Sequence, residues 1–277
     1  MGGVIQFYTA CKKEGIKPLL GIEIYCTSDE DNKEDRQRDN GHLILIAKNN
    51  QGYSDLLKLS SEAYLKNFYY KPRIHKQKLS ILKGNCVCCS ACLGSTVSKF
   101  LVYKTDSYGR AIACSDPDKK AINEVKFLHS IFGEDFYLEV QVWPDKNNYQ
   151  QIYNQWLINT SKSLNIPLII TSDSHYLRKE DYELHEILMA MQMKQTLQAY
   201  RDRQTMEYGP YFYLPEPQEM LERAQSIDCE DAYYNTNKIA DKCNVEIELG
   251  TYREPTFKIE ETLDYDDFLK WKKHYAK

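Results

Sequence analysis

The chain lacks the short signatures that mark the common nucleotide-binding and hydrolase folds. It contains no G-x-G-x-x-G, no P-loop and no G-x-S-x-G. Dinucleotide binding, a glycine-rich phosphate cradle and a nucleophile elbow are therefore excluded as readings. A surplus of basic charge is missing as well. Lys and Arg number 36 against 40 Asp and Glu, for a net charge of -4 and a pI near 5.9. Broad electrostatic capture of nucleic acid is excluded, so such a partner needs a local or metal-bearing site. No apolar run approaches the span of a membrane helix. The opening MGGVIQFYTACKK has neither the basic leader nor the apolar block of a secretory signal, so a cytoplasmic protein with no membrane partner is expected. No repeat of fixed period is present.

Cysteine is plentiful, but the nine copies are an odd number, which rules out a complete disulfide set within one chain. Reduced thiols are expected in the cytosol. The composition, 42% hydrophobic and 27% charged over 277 residues, suits an α/β domain with an appendage.

Helix and strand patterns alternate for about 175 residues. Residues 3–14 read as a helix closed by Gly15. KPLLGIEIYC reads as a strand, and HLILIAK as a strand buried on both faces. Residues 28–41 are a charged, solvated loop. Residues 49–68 carry a helical apolar stripe. NCVCCSA is the next strand, GSTVSKFLVYK a further helix, and 116–133 a helix with Asp116 as N-cap and Pro117 at its first position. FYLEVQV, 147–165 and IPLIITSDSHY then read as strand, helix and strand. Short apolar strands argue for a parallel sheet covered on both faces, either open or closed into a barrel. After residue 178 the reading is helical near 179–195, 216–226 and 230–243, followed by an extended tail.

Candidate site residues come from oddly placed polar groups. Asp173 and His175 lie two apart in TSDSHY, which on an extended strand puts both side chains on one side. Such a pair suits a metal ion, and equally an ordinary Asp–His hydrogen bond. Glu23 sits between Ile22 and Ile24; it is either buried with a partner or facing solvent on a half-exposed strand. His42 opens HLILIAK, where an ordinary strand-start histidine is the simpler reading. His185 reads as a packing residue. In NCVCCSACLGS, an extended strand puts Cys86 and Cys88 on one face and Val87 and Cys89 on the other. A structural zinc site needs a second ligand pair, and the other five cysteines are isolated. Three of the four thiols in this stretch therefore read as core filler. Cys92 falls where the strand ends.

Taken in order, GIKPLLGIEIY, HLILIAKNNQGYSDLLKLSSEAY, KPRI, SACLGS, FYLEVQ and TSDSHYLRKEDYELHEIL resemble the polymerase and histidinol phosphatase (PHP) domain. More closely, they resemble that domain in the α subunits of bacterial DNA polymerase III. GPYFYLPEPQEM and NTNKIADKCNVEIELG extend the resemblance toward the palm region of those subunits. The resemblance implies a distorted (β/α)7 barrel over residues 1–200, followed by a helical connector and the start of a palm region over 201–277. It implies metal-ligand roles for Glu23, His42, Cys92, Asp173 and His175, with Asp173 and His175 also counted as catalytic. The implied centre is a zinc- or manganese-type phosphoesterase site, in which metal-bound hydroxide attacks a phosphoester. Magnesium would serve the parent polymerase. Implied partners are DNA through that polymerase, the other replicase subunits and a proofreading exonuclease.

The family's H-x-H, Asp and T-D-H motifs, which come just before the segment reading MGGVIQFY, do not occur in this sequence. The expectation is a barrel without its first strands, a Met1 internal to a longer protein, and a metal site short of ligands. The palm carboxylates are also absent, so no polymerisation is expected of this chain. Three functional readings follow: weak or absent phosphoester hydrolysis at an incomplete site within a replication protein; a scaffold that supports the polymerase core or docks the exonuclease; and, last, a stand-alone phosphoesterase.

Overall fold

The computed structural model describes residues 1–28, 40–101, 104–105, 111–112, 116–144, 148–203, 209–251 and 265–275. The charged segment 29–39 and most of the tail expected after 246 lie outside the described residues. The elements in chain order are α1 (Val4–Lys13), β1 (Gly21–Thr27), β2 (Gly41–Ala47), α2 (Asn50–Leu65), β3 (Phe68–Tyr69), β4 (Lys71–His75) and β5 (Cys86–Cys89). Then come β6 (Lys104–Thr105), β7 (Ala111–Ile112), α3 (Pro117–Phe132), β8 (Phe136–Gln141), α4 (Tyr149–Leu164) and β9 (Leu168–Thr171). The helices α5 (Tyr182–Gln192), α6 (Leu197–Arg203), α7 (Pro217–Gln225), α8 (Glu230–Lys242) and α9 (Tyr265–Tyr275) follow. Residues Met1–Glu246 form one compact unit and Ile247–Lys277 a second.

Seven strands make one mixed sheet in the order β3-β4-β1-β2-β5-β8-β9. Among the described residues no ladder joins β3 to β9, so these strands form an open sheet and not a closed barrel. The expectation of parallel pairing holds for β1 with β4, β5 with β8 and β8 with β9. It fails at β2, which runs antiparallel to both neighbours. The reason is the connection. Parallel neighbours need a crossover, usually a helix, and no helix pattern lies between β1 and β2.

The reversal at β2 brings polar residues to one end of the sheet. The C-terminal ends of β1, β5, β8 and β9 lie at that end together with the N-terminal start of β2. His42 heads its strand yet sits beside residues that end theirs.

Each strand is placed by the helices around it. Asn49 caps α2, its side-chain oxygen accepting from the Gly52 N–H at 2.9 Å. A Cβ on Gly52 would strike the Asn85 carbonyl and lie 3.0 Å from Cys86 Sγ, so glycine lets α2 approach the β5 side closely. Pro117 opens α3 as expected, while Asp116 makes no side-chain cap and takes a left-handed conformation. The expected helix over GSTVSKFLVYK is replaced by a 3-10 turn at Ser98–Phe100 and the short strand β6.

Cys86 faces α2. On the other face Val87 and Cys89 join Tyr137, Ile169, Ile239 and Cys243 in one buried cluster beneath α8. Both faces of β5 are thus covered, and Cys86, Cys88 and Cys89 are essentially inaccessible. Asn235 on α8 donates to the Leu168 carbonyl at 2.8 Å, fixing that helix to β9. Leu43 and Leu45 on β2 are fully buried, each contributing about 2–3 kcal/mol of transfer free energy. No helix among the described residues is long and apolar enough to cross a membrane.

Candidate functional site

The polar end of the sheet gathers four of the five residues singled out in the sequence. His42 Nε2 lies 3.0 Å from Cys92 Sγ, and His42 Nδ1 lies 3.9 Å from Glu23 Oε1. Asp173 is close enough to act electrostatically on both His42 and Cys92.

The His42 side chain is 15% exposed, Glu23 46%. Glu23 therefore matches the half-exposed alternative for its strand, not the buried one. Backbone contacts hold His42 in place: its N–H donates to the Gly94 carbonyl at 3.2 Å, and its carbonyl accepts from Thr96 N–H at 3.3 Å. Tyr25, its cross-strand partner, meets the imidazole edge-on with 6.1 Å between ring centroids. Gly94 lies against the imidazole. A Cβ there would overlap His42 Cε1 and come within 3.0 Å of Nδ1. The ACLGS turn after β5 thus does two jobs: it aims Cys92 at the ring and leaves room for it.

Burial decides the charge state of this pair. It lowers the His42 pKa, with Glu23 and Asp173 opposing that shift. It pushes the Cys92 thiol up to about 12, with Asp173 adding to the rise. Both shifts favour neutral imidazole beside neutral thiol. The Glu23 carboxylate favours the proton on Nδ1, leaving Nε2 to accept the thiol proton. The pair is a hydrogen-bonded Cys–His contact and not a thiolate–imidazolium nucleophile.

Asp173 and His175 are placed differently from the strand-face expectation. β9 ends at Thr171, and Asp173 is in the left-handed region at φ 51. The period-two argument fails because the chain leaves the sheet before reaching them. His175 Nδ1 lies 2.6 Å from the Asp173 carbonyl oxygen. A carbonyl only accepts, so Nδ1 carries a proton. The His175 ring packs against His185 and Phe212 at 5.8 and 5.4 Å. Burial raises the Asp173 pKa; His175 and His42 pull it back down, and Glu23 adds to the rise. His185 is buried on α5, as its packing reading expects.

Glu139 belongs to this neighbourhood and was not among the candidates. Its carboxylate accepts from Thr171 Oγ1 at 2.5 Å and from Ala91 N–H at 3.1 Å. Desolvation raises its pKa. The signal was available: FYLEVQ is buried at every position of β8, and a carboxylate inside such a run needs partners.

The donor types suit a divalent cation, but their arrangement does not. Among the described residues no three His, Cys, Asp or Glu side chains stand where one metal ion could be held. Glu23 and Cys92 sit at opposite nitrogens of the His42 ring, so an ion at either nitrogen meets only one of them. The 3.0 Å contact of His42 with Cys92 is a direct hydrogen bond, shorter than the roughly 3.5 Å between nitrogen and sulfur sharing a tetrahedral zinc. The residues described do not fit a metal cluster as they stand.

An open mixed α/β sheet with imidazole, thiol and carboxylates gathered at its strand ends is the class of domain this structure defines. Comparison with known proteins narrows it. The family model described as "PHP domain" matches residues 1–142, and the chain belongs to that family. Similarity extends beyond residue 142 to DNA polymerase III α subunits. The chain is 36% identical to that of Campylobacter jejuni over 262 residues, 93% of this chain and 21% of the relative. It is 36% identical to that of Borreliella burgdorferi over 245 residues, covering 87% and 20%. For Aquifex aeolicus the figures are 33% over 285 residues, 97% and 23%. The chain thus spans about a fifth of the length of these relatives.

Proposed function

We propose that this chain serves as the PHP region of a replicative DNA polymerase III α subunit, acting in cytoplasmic DNA replication with little or no hydrolytic activity of its own. One observation carries the reading: likeness to α subunits covers 93% of the chain, far past the PHP match. In this reading residues 201–277 lead toward a palm region. DNA is met through the polymerase, with the other replicase subunits and a proofreading exonuclease as partners. The supportive role is favoured over catalysis by the neutral His42–Cys92 pair and the divided donors around it. A tagged chain recovered from its native cells is expected to bring replicase subunits with it. Recovery free of every replicase subunit, with DNA synthesis undisturbed on depletion, contradicts the reading.

A second reading, metal-dependent phosphoester hydrolysis, has specific support. Glu23, His42, Cys92 and Asp173 share one neighbourhood. In this reading these four and His175 would have to close around a zinc or manganese ion, an arrangement that differs from the divided one they have here. Chelator-sensitive digestion of single-stranded DNA, abolished by Asp173→Ala, would establish that reading over the supportive one.

A further inference from the structure

Both turns that carry candidate residues are tied to one buried side chain lying between them. Glu139 belongs to β8, which pairs with β5 on one side and β9 on the other. β5 leads into the turn bearing Cys92, and β9 into the turn bearing Asp173 and His175. Glu139 is 5% exposed. Its Oε2 accepts from the N–H of Ala91, the residue directly before Cys92, at 3.1 Å. Its Oε1 accepts from Thr171 Oγ1 at 2.5 Å, where β9 ends and the Asp173 turn begins. The Thr171 hydroxyl in turn accepts from Gln141 Nε2 at 3.2 Å, which directs its own proton to Glu139. Ser90 is fixed by the same strand: its N–H donates to the Tyr137 carbonyl at 3.0 Å, and its Oγ accepts from the Glu139 N–H at 2.9 Å.

We infer that Glu139 is a positioning residue, a single carboxylate that holds the Cys92 turn and the Asp173–His175 turn at a fixed spacing across β8. Each oxygen serves a different turn, so the two ties do not compete. Both turns need holding. Ala91 and Asp173 take left-handed backbone, at φ 61 and 51. For residues other than glycine that conformation persists only where the surroundings impose it. An apolar side chain would fill this place on β8, as Leu138 and Val140 fill theirs. It would secure neither turn and would leave the Ala91 N–H and the Thr171 hydroxyl without their acceptor. The bracket serves a supportive domain and a hydrolytic one alike, because it acts on the turns themselves.

Two readouts on the full chain test this, one for each turn. Iodoacetamide labelling followed by mass spectrometry reports on Cys92, and the nitrogen NMR shifts of the imidazole report on His175, whose Nδ1 is held at the Asp173 carbonyl. Glu139→Ala is expected to speed labelling of Cys92 at least about tenfold, as the thiol leaves its buried seat. Cys88 and Cys89, inside β5, should stay unlabelled. The same variant should move the His175 shifts toward those of a free histidine. Thr171→Val cuts one tie only. It should move the His175 shifts and leave Cys92 labelling within about twofold of the parent. Glu139→Gln is the conservative rescue: its amide oxygen accepts from Ala91 and its amide nitrogen donates to the Thr171 hydroxyl, so both readouts should stay near the parent. Parental labelling of Cys92 in Glu139→Ala overturns the inference. So does labelling of Cys88 and Cys89 in step with Cys92, which marks general loosening. If Glu139→Ala does not fold, Thr171→Val decides: unmoved His175 shifts there overturn the inference as well.

Discussion

NCVCC and ACLGS are adjacent in the chain and differ in almost every physical respect. The first is a strand with both faces covered, where Cys86, Cys88 and Cys89 are buried. The second is a turn at the sheet's polar end, where Cys92 meets His42 and the fields of Asp173 and Glu139. The same residue type acts as a small hydrophobe in one and as a polar partner in the other. What changes is topology: the strand stops at Cys89, and the next residues sit where neighbouring strands also stop.

The sharpest way to break this contrast is to place a carboxylate in each half. Cys88→Asp puts a charge where no water reaches and should cost more than about 4 kcal/mol, enough to unfold a marginally stable domain. Cys92→Asp should leave the chain folded, as circular dichroism and gel filtration would show. Next comes thiol reactivity. With its pKa pushed up to about 12 from an ordinary 9.0, Cys92 should alkylate at pH 8 roughly a thousandfold more slowly than a peptide thiol. Mass spectrometry of iodoacetamide-treated protein would check this, and a rate like a free peptide's would show the thiol is not buried against His42.

Smaller in effect is Gly94→Ala. Its methyl group overlaps the His42 ring, and the change should cost about 1–3 kcal/mol in thermal unfolding. In a His42→Ala background most of that cost should vanish, because the obstructing ring is gone. The smallest effect concerns Glu139. Its raised pKa means that the folded chain keeps this proton to higher pH than the unfolded chain does. The folded state therefore binds more protons above the ordinary carboxyl value of 4.5, and this group's contribution to stability falls as pH rises from there. Melting temperatures measured from pH 4 to 7 should show a decline in the parent that Glu139→Gln flattens.

Much of the fold was readable because burial leaves a periodic trace. The split of Cys86 from Val87 across the strand, the helix opened by Pro117 and the helices at α7 and α8 all follow local pattern. The direction of β2 was not readable from HLILIAK, since an apolar strand carries no record of which way its neighbours run. Asp173 and His175 were placed by a strand rule, but β9 ends at Thr171 and the left-handed turn at Asp173 lies outside any periodicity. Glu139 lies within β8 and not at its end, so a strand-end criterion does not mark it, although a charge within a buried run is itself a signal. The family resemblance supplied the roles of the five candidate ligands. The arrangement that divides them between the two sides of one imidazole is a three-dimensional fact.

The central claim is that these donors form a neutral hydrogen-bonded pair with separate carboxylates, not an assembled metal cluster. Metal content per chain tests it most directly, measured by mass spectrometry after equilibration with zinc or manganese and gel filtration. The account predicts less than one ion retained per chain. Two or more ions per chain, lost on Asp173→Ala, would contradict it.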